Sequence, residues 1–202
     1  MISLYFGLPR CGKTTLACSL ALANVKKRKV FCNFPCRVPG VIQVPNSAIG
    51  RYDMSHSLII IDEASLYADS RGFKSFPPEL VSFFCLHGHW DCDIVLFTQI
   101  YNRVDSTIRE NCERVFYLRK NPIFRGITSV YRVPYGIAFT PPPNSEGKNK
   151  YGDINEGYKE PSFWGRVFAK RLIRCRYYKY FDTHWKPYEL PPLPDDVILA
   201  RA

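Results

Sequence analysis

The stretch Gly7-Leu8-Pro9-Arg10-Cys11-Gly12-Lys13-Thr14-Thr15 (GLPRCGKTT) decides the fold. It satisfies G-x-x-x-x-G-K-[ST] without deviation, and each position has a chemical reason. Glycines let backbone N–H groups turn inward around phosphates. A lysine at position 13 reaches the β and γ phosphates, and a Thr14 hydroxyl suits Mg²⁺. A helix opening at Lys13 directs its positive end at the same anion. The flanks agree with this reading. Met1–Phe6 is a short apolar strand, and Lys13–Val25 is Ala/Leu-rich and helical in character. ATP and Mg²⁺ are therefore the ligands expected for Gly7–Thr15.

Moving outward, the next informative run is Leu58-Ile59-Ile60-Ile61-Asp62-Glu63. Four apolar residues suit a strand buried on both faces. The two acids then emerge at its C-terminal end, where sheets of this class bind ligands. Asp62 is expected to hold Mg²⁺ together with Thr14, and Glu63 to polarise an attacking water. A second buried strand, Asp93–Thr98 (DIVLFT), ends in Thr98-Gln99, and Gln99 is the candidate sensor of the terminal phosphate. Arg103, Arg109 and Arg114 follow. Any of the three is a candidate arginine finger for a neighbouring subunit, and Arg109, on a short helix expected at Val104–Asn111, is the first choice. Other expected elements are strands at Lys29–Phe34, Val41–Val44, Arg114–Leu118 and Ile127–Val133 and a helix at Pro78–Leu86. Strands alternating with helices imply an α/β fold with a mainly parallel sheet.

Cys85, His87, His89 and Cys92 fall within eight residues and raise the question of zinc. Their spacing is not a common finger spacing, and four ligands in one short turn fit a tetrahedron poorly. A helix-to-strand loop on the γ-phosphate side is the expected role. Elsewhere, Lys+Arg 28 against Asp+Glu 18 gives a net charge of +10, which favours anionic partners. Eight cysteines without a secretory leader read as reduced thiols in a cytosolic compartment. The sequence has no apolar run of the length a spanning helix requires.

The phosphate loop, the IIIDEA segment (Ile59–Ala64), Arg71, LHGHWDCDIVLFTQ (Leu86–Gln99) and VDSTIRENCERVFYL (Val104–Leu118) resemble the zonula occludens toxin (Zot) family of filamentous-phage assembly ATPases. That family carries an H-x-H-x-G-x-D-I-x-x-x-T-Q-like stretch, met here by His87, His89, Asp93, Ile94, Thr98 and Gln99. Asp91-Cys92 stands where a glycine is usual. The likeness covers residues 1–135, and YFDTHW at Tyr180–Trp185 is a candidate resumption. It implies a P-loop domain of the additional-strand type, with Lys13 and Thr14 on ATP and Mg²⁺, Asp62 and Glu63 as paired acids and Gln99 as sensor. It further implies action on a phage DNA–protein complex at the cytoplasmic face of the host inner membrane, and an arginine finger shared between subunits requires a ring-shaped homo-oligomer, a hexamer as in related motors. Family members typically continue through a membrane span into an extracytoplasmic domain. This sequence has neither, so a cytoplasmic-domain-only member or a separate membrane partner is expected.

Three segments are expected: a P-loop domain at 1–135, a linker at 136–162 and a basic, aromatic C-terminal appendage at 163–202. In that appendage, Trp164, Phe168, Leu172 and Cys175 share one face if Phe163–Phe181 is helical. Arg166, Lys170, Arg171, Arg174 and Arg176 then supply a basic surface. Such a helix suits an anionic membrane, core packing or single-stranded DNA. Besides the assembly motor, a DNA-translocating or packaging ATPase and a non-hydrolytic nucleotide-gated adaptor are the alternatives. Intact Glu63 speaks against the adaptor.

Overall fold

The computed structural model describes residues 1–64, 78–121, 124, 126–133 and 169–182. Arg71, the 136–162 segment and the residues beyond Asp182 lie outside the described residues, as do Trp164, Arg166 and Phe168. Among the described residues, eight strands form one sheet in the order β3-β2-β4-β5-β1-β6-β7-β8. They are β1 (Ile2–Phe6), β2 (Lys29–Cys32), β3 (Val41–Gln43), β4 (Ser57–Ile61), β5 (Asp93–Thr98), β6 (Arg114–Lys120), β7 (Ile127–Val133) and β8 (Lys170–Ile173). The α-helices among the described residues are α1 (Lys13–Asn24), α2 (Pro78–Leu86) and the short α3 (Ser106–Glu110).

Strands β3 through β6 run parallel, whereas β7 is antiparallel to β6 and β8 to β7. β5 lies between β1 and β4, so the strand ending in the two acids is not the neighbour of the strand feeding the phosphate loop. This inserted strand is the additional-strand arrangement. The register of Phe6 with Thr98, and of Ile61 with Leu96, brings the C-terminal ends of β1, β4 and β5 to one edge.

Alternation along the buried strands builds a core on each face. Ile59 and Ile61 join Ile94, Leu96, Phe84 and Ile108 on the side of α2 and α3. Leu58 and Ile60 join Val95, Phe97, Leu16 and Ala17 on the side of α1. Ala17, Cys18 and Ala21, all fully buried, are the small residues on which α1 approaches the sheet. Each large aliphatic side chain so buried contributes roughly 1.5–3 kcal/mol.

Two expectations change. Residues 170–173 form an edge strand and Arg174–Tyr180 a 3-10 segment, so no amphipathic α-helix runs through the described part of the appendage. Strand geometry alternates side chains, and steps of three and four there no longer share a face. Leu172 is buried against the α1 side, and Arg174 and Cys175 leave the strand in different environments. The described part of the appendage is also joined to the sheet, so the P-loop domain does not stop at residue 135.

Candidate functional site

Gly7 continues β1, with its N–H bonded to the Thr98 carbonyl at 3.2 Å. The loop then doubles back through Arg10 (φ 60°) and Gly12 (φ 102°) into α1. Gly12 is the N-cap of α1, without a side-chain cap, which leaves the first-turn amides to an external acceptor. A Cβ at Gly12 would lie 2.3 Å from Thr128 Oγ1, and that hydroxyl donates to the Cys11 carbonyl at 2.6 Å. A Cβ at Gly7 would lie 2.5 Å from the Leu118 carbonyl oxygen. Both glycines are therefore dictated by close contact with the β6–β7 hairpin, and Gly12 by its left-handed backbone as well.

Lys13 is buried, and its ammonium curls back to the Gly7 and Leu8 carbonyls at 3.0 and 3.4 Å. Thr14 Oγ1 donates to Asp62 Oδ2 at 2.8 Å. Asp62 itself is fixed by Asn33, which receives the Asp62 N–H at 2.7 Å and donates to the Asp62 carbonyl at 3.0 Å. Burial pushes the Asp62 carboxyl above its usual range. The Thr14 hydroxyl and Lys13 act in the opposite sense, and Glu63 adds to the rise. A buried carboxylate and a threonine hydroxyl in contact form a hard-oxygen pair of the kind Mg²⁺ accepts.

The chain turns sharply after Asp62. Glu63 takes φ 51°, uncommon for a residue with a side chain, and its N–H bonds Asp62 Oδ1 at 3.0 Å. That turn aims the Glu63 carboxylate across to β5, where Gln99 Nε2 donates to it at 3.1 Å. Lys13, Thr14, Asp62, Glu63 and Gln99 thus border one open cleft of about 1060 Å³. Pro9, Arg10, Gly12 and Thr15 line it as well. Gly7, Leu8 and Cys11 belong to the loop but do not face the cleft: Leu8 points to solvent, and Cys11 is buried with its thiol raised by that burial.

Arg109 is not brought to this cleft. Its guanidinium is buried and lies 5.2 Å from the centre of the Tyr101 ring, which is itself fully buried. A side chain committed to its own core is not displayed to a neighbour, so the first choice of finger is corrected; Arg103 and Arg114 are exposed. The Cys85–Cys92 loop is also corrected. It leads from α2 into the N-terminal end of β5, the sheet edge opposite the phosphate loop. There Cys92 Sγ donates to the Met54 carbonyl at 2.8 Å while Cys85 is exposed. Among the described residues no group of three metal-type ligands converges.

Sequence reasoning missed several residues of the site. Asn33 gives no motif signal, since its role is to hold the backbone of Asp62. Arg37, Lys120, Arg174 and Tyr178 reach the cleft from distant segments. The basic, aromatic composition around Arg174 was visible, but its placement was not.

The central sheet, the inserted β5 and the glycine loop opening α1 define a P-loop NTPase of the additional-strand type. The chain belongs to the Zonular occludens toxin (Zot) family, whose profile matches residues 39–150, more than half its length. The matched span begins after the phosphate loop. In fold, the chain is similar to the N-terminal domain of zonular occludens toxin from Neisseria meningitidis, with 19% identity, TM-score 0.53 and coverage of 94% of this chain and 97% of that one. It is also similar to the genome packaging NTPase B204 of Sulfolobus turreted icosahedral virus 2, crystallised with AMPPCP. There the identity is 12% and the TM-score 0.50, over 65% of this chain and 92% of that one. No curated protein matches the sequence. Among the described residues, no helix is long and apolar enough to cross a membrane.

Proposed function

We propose that this protein is an ATP-hydrolysing motor for the assembly and extrusion of filamentous-phage particles. The observation carrying the enzymatic part is the Glu63–Gln99 hydrogen bond beside the Thr14–Asp62 pair and Lys13. Lys13 would leave the loop carbonyls for the β and γ phosphates, replacing two weak acceptors by full counter-charge. Thr14 and Asp62 would hold Mg²⁺, which supplies charge neutralisation to the phosphates when bound. Glu63 would accept the proton of the attacking water, and Gln99 would keep its carboxylate aimed. A bystander pair of acids at a strand end has no need of a left-handed backbone at Glu63, so that conformation favours a catalytic reading.

Membership of the Zot family supports the assembly role, in which the substrate is a phage DNA–protein complex at the host inner membrane. Work of that kind favours a homo-oligomeric ring, with Arg103 or Arg114 as the group offered to a neighbour. A second reading, a DNA-translocating or packaging ATPase, draws support from the fold shared with the viral packaging NTPase. Phosphate release is the direct test: Mg-dependent turnover lost in Lys13→Ala supports the enzyme, and wild-type protein without turnover removes it. Failure of Glu63→Gln to support particle release, with phage DNA replication intact, supports extrusion. Strong stimulation by DNA alone, with particle release unaffected, supports translocation instead.

A further inference from the structure

The cleft has two sides. Glu63 and Gln99, at the ends of β4 and β5, mark one of them. Across β1, the other side is built from β6, β7 and the chain leaving β8. That chain crosses α1 as a strap. It starts at Arg174, whose N–H bonds the Gly126 carbonyl at 2.9 Å. It ends where the Tyr180 carbonyl accepts the Arg37 N–H at 2.7 Å and where Phe181 bridges to Cys36, beyond the β2 strand. At that same end, the Cys18 thiol of α1 reaches the Tyr180 carbonyl at 3.8 Å. The strap is therefore fastened at both ends and over the helix that the phosphate loop opens.

Arg174, Tyr178 and Phe181 of the strap line the cleft, with Asp182 just beyond its end. Arg174 Nε lies 3.5 Å from where a Cβ of Gly12 would stand, so the guanidinium flanks the loop directly. Tyr178 is 48% exposed, with its ring 6.0 Å from the Arg174 guanidinium carbon and edge-on to Phe181 at 6.1 Å. An exposed ring propped by a cation on one side and a phenyl group on another is a prepared stacking surface.

We propose that this strap is the base-side wall of the nucleotide cleft, with Tyr178 stacking on the base of a bound nucleoside triphosphate and Arg174 countering its α-phosphate. The inference rests on the nucleotide reading above. The terminal phosphate must lie by Glu63, where water is activated, and the triphosphate lies along the loop. The nucleoside then projects past the Gly12 end of the loop, where Arg174 begins the strap. A ring π-face accepts either purine, so discrimination between ATP and GTP is weak.

Calorimetric titration of the full chain with ATP and with inorganic tripolyphosphate, both with Mg²⁺, tests the idea. Wild type binds ATP more tightly than tripolyphosphate. Tyr178→Ala weakens ATP about tenfold, the scale of base–aromatic stacking, and leaves tripolyphosphate affinity in place. Tyr178→Phe restores ATP affinity. Arg174→Gln weakens ATP, ADP and AMP alike. Unchanged ATP affinity in Tyr178→Ala overturns the proposal, as does equal weakening of both ligands. An Arg174→Gln effect on kcat alone, with KM unchanged, overturns it in favour of a γ-phosphate role. If Lys13→Ala leaves tripolyphosphate binding intact, the nucleotide reading itself fails, an outcome distinct from any of these.

Discussion

The two sides of the cleft are built on different plans. The Glu63 side comes from short contiguous runs, each a buried strand ending in the functional residue: Ile61-Asp62-Glu63 on β4 and Thr98-Gln99 on β5. The strap side is assembled from residues far apart in sequence, Lys120, Arg174 and Tyr178, brought together by antiparallel pairing of β6, β7 and β8 and by the strap that follows. A side whose geometry is set by the strand that carries it needs only a motif. A side set by strand pairing depends on contacts that no local pattern records.

The largest effect that tests this contrast is on the Glu63 side. Glu63→Gln should lower kcat by roughly 10²–10⁴-fold, the range of general-base catalysis, with nucleotide affinity nearly intact. An equal loss of affinity would make Glu63 a binding residue and erase the distinction. Next comes Asn33→Ala, which orphans both the N–H and the carbonyl of buried Asp62. At about 1–3 kcal/mol for each of the two unsatisfied groups, thermal unfolding should show a loss of roughly 2–6 kcal/mol. A loss below about 1 kcal/mol would mean that water replaces the amide.

Gly12→Ala couples the two sides, because its Cβ would meet Thr128 Oγ1 at 2.3 Å in a left-handed backbone. Backbone strain of this kind costs about 1–3 kcal/mol, and the contact adds to it. Combining it with Thr128→Ala should recover the contact part and not the strain, readable as a non-additive double-mutant cycle. Strict additivity would show that the hairpin does not shape the loop. A smaller effect is expected for Gln99→Ala: about tenfold in kcat, with KM little changed, if Gln99 acts by aiming Glu63. A change confined to KM would make it a ground-state contact.

The smallest effect concerns pH and lies at the opposite sheet edge. Burial alone would raise the Asp93 carboxyl, but Arg28 at 2.6 Å and the Met1 amine at 3.1 Å outweigh it and hold it low. A carboxyl lower in the folded than in the unfolded chain stabilises above the unfolded value and loses that contribution as pH falls through the folded one. Stability should therefore decline on the acid side, below the usual carboxylate range near pH 4, and Asp93→Asn should flatten that decline. An unchanged acid limb would mean that the cluster is screened by solvent.

The phosphate loop, the two acid-bearing or glutamine-bearing strand ends and the α/β class were legible in the sequence. Each is a local pattern: glycines where the backbone closes on itself, and apolar runs long enough for a buried strand. The spans of β5, β7 and α2 were read to the residue, since hydrophobic runs bounded by polar residues fix where burial ends. The sequence could not show which arginine is exposed. Arg109 occupies a helical position like any other, and only packing beneath Tyr101 removes it from reach. Nor did it show β8, whose four residues bury only Leu172 and whose charged pattern suits a solvated edge as well as a helix. Its partner Ile127–Val130 lies across a long intervening segment. Motifs record the chemistry that a few adjacent residues can perform. The wall opposite them exists only once non-local strand pairing has carried a basic, aromatic segment across α1, and that pairing is decided by the energy of the whole sheet.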